Sequence, residues 1–196
     1  MIKIGRRGFL ALSGALLLAR PAAALDVGAA RGFVADVVGR IQALVDSGRP
    51  PAEQAAEFRR ILTEVADVEA IARFVAGRPW REMSDAQRAA FREAFLDYVS
   101  RLYANIMADY KGERIEIVDA RDFGKKGVLV VGRILRPAGD GSQVEFLVSD
   151  RGGDGLKVVD MVVEGVSMLQ TQRQELAAML EKRGGDVDRL IADLRG

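Results

Sequence analysis

Leu156-Lys157-Val158-Val159-Asp160-Met161-Val162-Val163-Glu164-Gly165-Val166-Ser167-Met168-Leu169-Gln170 is the stretch in which the chain changes period. Residues 156 to 163 are mostly β-branched or apolar, the composition of a strand buried on at least one face. Gly165 interrupts that pattern. Beyond it Leu169, Leu176, Met179 and Leu180 fall on one stripe, while Gln170, Gln172, Arg173, Glu181, Lys182 and Arg183 are polar. The spacing predicts a strand over 156–163 turning directly into an amphipathic helix over 166–183, which Gly184-Gly185 stops.

Upstream lie three more β segments. Arg114 to Asp119 alternates Ile115 and Ile117 with polar neighbours, and Val128 to Arg136 and Val144 to Asp150 are β-rich. Pro137-Ala138-Gly139-Asp140-Gly141-Ser142 and Gly152-Gly153-Asp154-Gly155 are turn compositions, so successive strands should pair antiparallel. A register with Ile134 opposite Val144 sets Gly132 against Phe146. It places Val128, Val130, Ile134, Val144, Phe146 and Val148 on one face, and a slip of one residue would exchange the faces.

Helices precede the strands. Phe33, Val37, Val38, Ile41, Leu44 and Val45 recur at helical spacing between Asp26 and about Asp46, and Gly48-Arg49-Pro50-Pro51 breaks that helix. Pro51 suits the first turn of a second helix, whose apolar face is Phe58, Ile61, Leu62 and Val65. Asp67 is placed to cap a third helix that Gly77 ends. Ser84 with Gln87 spells a capping box, and from there to Tyr110 a long helix carries Phe91, Phe95, Tyr98, Val99, Leu102, Tyr103, Ile106 and Tyr110 in a continuous stripe. The order predicts one α+β domain: N-terminal helices and a C-terminal helix packed on a curved, mostly antiparallel four-stranded sheet.

The first 24 residues read differently. Lys3, Arg6 and Arg7 form a basic n-region, Gly8 to Ala19 a short apolar run, and Ala22-Ala23-Ala24 an A-x-A cleavage site, so 1–24 is expected to be an export signal and 25–196 the mature domain. Arg6-Arg7-Gly8-Phe9-Leu10 resembles the twin-arginine motif. The apolar run is well short of the ~20 residues of a membrane span, and no cysteine follows to receive a lipid anchor. Of 29 basic residues the leader takes Lys3, Arg6, Arg7 and Arg20, leaving 25 against 28 acidic ones, a formal −3 that disfavours a nucleic-acid partner. Without cysteine, burial alone must hold the domain, and a chain 49% hydrophobic permits that.

The absence of histidine and cysteine removes Ser-His-Asp and Cys-His catalysis and most zinc sites, so no catalytic, metal or cofactor residues are assigned. Gly152-Gly153-Asp154-Gly155 opens a strand rather than a helix and reads as a turn. Asp160 and Glu164 share a strand face but stand ~13 Å apart, too far to share a proton; each is expected to pair with an arginine or to be exposed at the sheet edge. Trp80 between Arg78 and Arg81 reads as loop packing before it reads as a cation–π site.

Val158 to Leu176 and the block Phe74-Val75-Ala76-Gly77-Arg78-Pro79-Trp80-Arg81, followed by Ser84, Gln87, Arg88, Phe91, Phe95 and Tyr103, together resemble the MlaC-like (toluene-tolerance, Ttg2-type) periplasmic lipid-binding proteins. The resemblance spans roughly residues 30 to 195. It implies a carrier that holds phospholipid acyl chains between helices and sheet with the head group at the solvent. It also implies exchange with an inner-membrane ABC-transporter complex containing an MCE-domain subunit and with an outer-membrane lipoprotein complex. A branch of the family is associated with hopanoids, which leaves a polycyclic lipid as an alternative ligand. Rivals of other classes are a ketosteroid-isomerase-like enzyme using Asp160 with Tyr103, and a structural adaptor. If the layers stay apart as the resemblance implies, the lining is expected from the long helix (Phe95, Tyr98, Val99, Leu102, Tyr103, Ile106), from the middle strands (Val130, Val144, Phe146, Val148) and near the C-terminal turn (Val159, Met161, Val163, Met168).

Overall fold

A helix leaves its first N–H groups without partners, and this chain supplies a side-chain acceptor at nearly every start. The computed structural model describes residues 25–136 and 139–196; the leader expected over 1–24, and Pro137 and Ala138 of the second hairpin, lie outside the described residues. Asp26 accepts from the Ala29 N–H at 3.0 Å and opens α1 (Val27–Asp46). Pro51 takes the first position of α2 (Pro51–Val65), where a missing N–H loses nothing. Asp67 accepts from Ala70 at 2.9 Å to start α3 (Val68–Ala76). Ser84 and Gln87 form the reciprocal capping box of α4 (Asp85–Ile106) at 3.2 and 3.0 Å. Among the described residues no helix is long and apolar enough to cross a membrane.

The β segments follow as β1 (Arg114–Asp122), β2 (Val128–Arg136), β3 (Gly139–Ser149), β4 (Lys157–Val163) and a two-residue β5 (Val166–Ser167). Each pairs antiparallel with the next, giving one sheet in the order β1-β2-β3-β4-β5. The sheet thus has one short strand beyond the four expected, because Gly165, at φ 82°, lets the chain fold back on β4 before the helix starts. β1 forms one edge, bulges between Ile117 and Asp119, and at that bulge the Ile117 carbonyl accepts from Arg31 of α1 at 3.0 Å.

The β2–β3 register corrects the sequence expectation by two residues. Gly132 faces Val144 rather than Phe146, Phe146 faces Val130, and Ile134 faces Ser142. A shift of two preserves the faces, so the expected valine and isoleucine set still shares one side. The glycine makes room between strands rather than for a ring: a Cβ there would lie 3.0 Å from Ile115 Cγ2 and 3.1 Å from Val144 Cγ1.

Three apolar cores result. α1 lies across the sheet, with Ala30, Val34 and Val38 on Val128, Val130, Ile134, Val144, Phe146 and Val148. α1 and α2 enclose a smaller core of Val37, Leu44, Ile61, Val65 and Met107. The third is helical: Ala72 and Val75 of α3, Phe91, Ala94, Phe95 and Val99 of α4, and Leu176 of α5 (Met168–Lys182) meet Leu190, Ile191 and Leu194 of α6 (Val187–Arg195). α6 is absent from the sequence reading, which took Gly184-Gly185 for the end of ordered helix. Those glycines, at φ 66° and 82°, turn the chain into a second short helix capped by Asp186 and tied back by a two-pronged Arg183–Asp193 ion pair at 2.6 and 2.9 Å. Leu194 is wholly buried. Replacing it with alanine should destabilise the domain by about 3 kcal/mol, read as a lower urea midpoint with unchanged slope.

Candidate functional site

Ten of the fourteen residues expected to line a cavity fall into two groups that do not share a core, and Leu102, Ile106, Val159 and Met168 belong to neither. Phe95, Tyr98, Val99 and Tyr103 belong to the helical core, and Val130, Val144, Phe146, Val148, Met161 and Val163 to the core under α1. The chief neighbours of α4 are α2, α6 and α3, and the sheet is covered by α1 over β1 and β2 and touched by α3 and α5 at β4. The fourteen also differ in burial. Phe95, Val99, Val130, Val144, Phe146 and Val148 are closed-core positions. Tyr98, Leu102, Tyr103, Ile106, Val159, Met161, Val163 and Met168 are only half-buried.

Some of the half-buried side chains link one core to another. Phe33 of α1 touches both the sheet core and the α1–α2 core. Phe58 of α2 belongs to the latter and lies with its ring centroid 5.8 Å from that of Tyr103 in the helical core. Leu62, one turn on, joins the helical core itself. All seven residues of β4 are half-buried on whichever face they point to. The seam marked by Phe33, Phe58 and Tyr103 therefore keeps part of its apolar surface exposed, the kind of surface that an apolar ligand would cover at little desolvation cost. Phe33 and Phe58 stood on the apolar stripes of their helices, but one stripe does not tell which of its members meets a second core.

The acidic and aromatic candidates have structural tasks. One Asp160 oxygen accepts from the backbone N–H of Met161 at 2.8 Å and of Leu169 at 3.1 Å, and the other from the Ser167 hydroxyl at 2.7 Å. Glu164 leaves the strand at φ 52° and accepts from the Ser142 hydroxyl. Neither forms an ion pair among the described residues; Glu164 is exposed, one of the two outcomes expected, while the half-buried Asp160 is neither exposed nor paired with an arginine, a correction that its three donors explain. An Asp160 occupied in this way is held at the start of α5 and is not among the hydrogen-bond partners of Tyr103. Trp80 is buried edge-on to Phe91 at 6.2 Å, and the cation over it is Arg88, at 5.8 Å, rather than Arg78 or Arg81.

One polar contact crosses the half-buried region. Tyr98 of α4 donates from its hydroxyl to Glu175 of α5 at 2.6 Å. Burial, then that hydrogen bond and the Glu175 charge, push the Tyr98 phenol up to about 12. The Tyr103 phenol is also raised, first by burial and then by the charges of Tyr110 and Glu175.

Comparison with known proteins gives a consistent set of likenesses. A family model described as MlaC protein matches residues 33–196. The toluene tolerance protein ttg2D of Pseudomonas putida is 26% identical over 194 residues, covering 97% of this chain and 89% of that one. The intermembrane phospholipid transport system binding protein MlaC of Haemophilus influenzae is 26% identical over 124 residues, 62% of this chain and 57% of that one. Among solved structures, the phospholipid-binding protein from Ralstonia solanacearum in complex with a phospholipid matches with a TM-score of 0.66 over 85% of this chain and 99% of that chain. At 20% identity, that is a likeness of fold.

The Tyr98 bond has a pH signature. A phenol raised in the folded state from 10.0 to about 12 contributes stability that is complete below pH 10 and is lost as pH rises toward 12. Thermal melts across that window should show a steeper alkaline loss for the wild type than for Tyr98→Phe, and phenolate absorbance should show one fewer late-titrating tyrosine in the variant.

Proposed function

The chain belongs to the MlaC family, and we propose on that premise that it is a periplasmic carrier moving phospholipid between the inner and outer membranes as the binding component of an ABC transport system. Residues 1–24 act as the export signal and 25–196 as the lipid-binding domain. The observation that carries the reading is the half-buried apolar surface that links the three cores, where Phe33 packs on two of them and Phe58 lies 5.8 Å from Tyr103 of the third.

A carrier has a defined physical task. Each exposed methylene costs ~0.8 kcal/mol in water, so two acyl chains of about thirty methylenes together would cost on the order of 20 kcal/mol to cross an aqueous space bare. Apolar, unreactive side chains remove that cost and no bond need be made or broken, which fits a non-enzymatic role. In this reading Tyr98, Leu102, Tyr103, Ile106, Val159, Met161, Val163 and Met168 contribute lipid-facing surface, backed by the closed positions Phe95, Val99, Val130, Val144, Phe146 and Val148. Methionines suit chains of varied length and unsaturation. The partners that supply and accept the lipid are an inner-membrane MCE-domain transporter complex and an outer-membrane lipoprotein complex.

Protein purified from its native envelope should carry phospholipid detectable by native mass spectrometry. Recovery of a polycyclic lipid in its place would reassign the ligand, and recovery of no lipid would overturn the carrier reading. Leu102→Trp should fill part of the lipid space and lower the lipid-to-protein ratio while leaving the circular dichroism spectrum unchanged.

A further inference from the structure

The polar cluster between α4 and α5 is not explained by carrying acyl chains. Gln172 is 8% exposed, and its Nε2 faces a Glu175 oxygen at 3.4 Å, leaving Oε1 buried with no partner among the described residues. The amide orientation is set by that neighbour, since a flip would turn carbonyl oxygen toward carboxylate. The other Glu175 oxygen takes the Tyr98 hydroxyl. Two donors thus use a carboxylate with about four acceptor positions, and the amide oxygen beside it uses none. No basic side chain pairs with Glu175 among the described residues. The nearest in sequence, Arg173, is turned away, with its guanidinium 4.9 Å over the Phe74 ring and Nη1 on the Phe74 carbonyl at 3.3 Å.

The cluster is negative, rich in acceptors, short of donors, and walled by a tyrosine. A primary ammonium carries one positive charge and three N–H donors, and it is favoured over an aromatic face. We propose that Gln172, Glu175 and Tyr98 form a head-group site for a lipid bearing a primary ammonium, of the phosphatidylethanolamine class. This rests on the carrier reading and deepens it. Tyr98 and Tyr103 both pack half-buried against the helical core, and Glu175 is exposed, so the carboxylate stands where apolar surface gives way to solvent. A quaternary ammonium keeps the charge but has no N–H to give to Gln172 Oε1, and a glycerol head group has no charge to give to Glu175.

The test loads the protein from vesicles and reads the head groups taken up. Wild type is incubated with vesicles of equal parts phosphatidylethanolamine, phosphatidylcholine and phosphatidylglycerol sharing the same acyl chains, re-isolated, and its lipid quantified by mass spectrometry. Phosphatidylethanolamine should be enriched over both competitors, and Glu175→Gln should reduce that enrichment about threefold, the scale of one partly exposed charge pair. Glu181→Gln, on the same helix outside the cluster, should leave it unchanged. Lipid uptake with no head-group preference, or a preference that Glu175→Gln does not alter, overturns this inference and leaves the carrier reading standing. Uptake of no lipid overturns both. Soluble phosphoethanolamine, titrated into lipid-free protein by calorimetry, should give no saturable heat; saturable binding would assign the cluster to a free amine and overturn the lipid head-group assignment.

Discussion

The Asp160 carboxylate joins the two halves of the domain. It sits at the bulged part of β4 and receives the Met161 N–H of its own strand, the Leu169 N–H of α5 and the hydroxyl of the capping Ser167, at a helix start where unpaired donors and the helix dipole both favour negative charge. β4 is committed to the sheet, and α5 carries Leu176 into the helical core and Arg183 to the α6 contact. Removing the acceptor would free three half-buried donors together. The orientation of α5, and with it the placement of Gln172 and Glu175 against Tyr98, depends on this one anion.

Around that junction the domain is built as three small cores rather than one large one. Each core closes on its own terms: the sheet core through branched aliphatics at matched registers, the helical core through the parallel Phe91 and Phe95 rings at 6.2 Å, the α1–α2 core through leucine, isoleucine and valine. Close packing inside each allows few voids, and the mismatch between them collects at the seam. The half-burial of Phe33, Phe58 and Tyr103 follows from that arrangement. Residues shared between cores cannot satisfy both.

How much of this was readable in advance depended on whether the signal was local. Ser84 with Gln87, and Asp67, placed helix starts because capping is a contact across three residues, and Pro51 placed one because its missing N–H is harmless in a first turn. Val128 to Arg136 was bounded correctly because its β-rich run ends at turn residues. The β2–β3 register was missed by two because β3 begins at Gly139, within the span read as turn. α6 was missed because two glycines read as an ending, although Asp186 and the spacing of Leu190, Ile191 and Leu194 carried the signal. The division of the expected lining into two cores was not legible at all. The stripe on α4 is broad enough for two neighbours, and nothing local in Phe95 or Val99 says that one of them is α6.

The β1 edge bears on how the protein behaves in quantity. An open strand offers its unpaired N–H and C=O groups to any passing chain, and a row of them is a template for polymerisation. Here the outermost strand carries Arg114, Glu116, Asp119, Arg121 and Asp122, is bent by its bulge, and has its Ile117 carbonyl taken by Arg31. On the opposite side the two-residue β5 covers Val162 and Val163 of β4, and further along β4 the Val158 carbonyl is taken by the Asp67 N–H and Asp160 caps α5. A second molecule finds no run of flat, neutral backbone on either side, so the domain can be abundant and collide often without its sheets annealing into fibres.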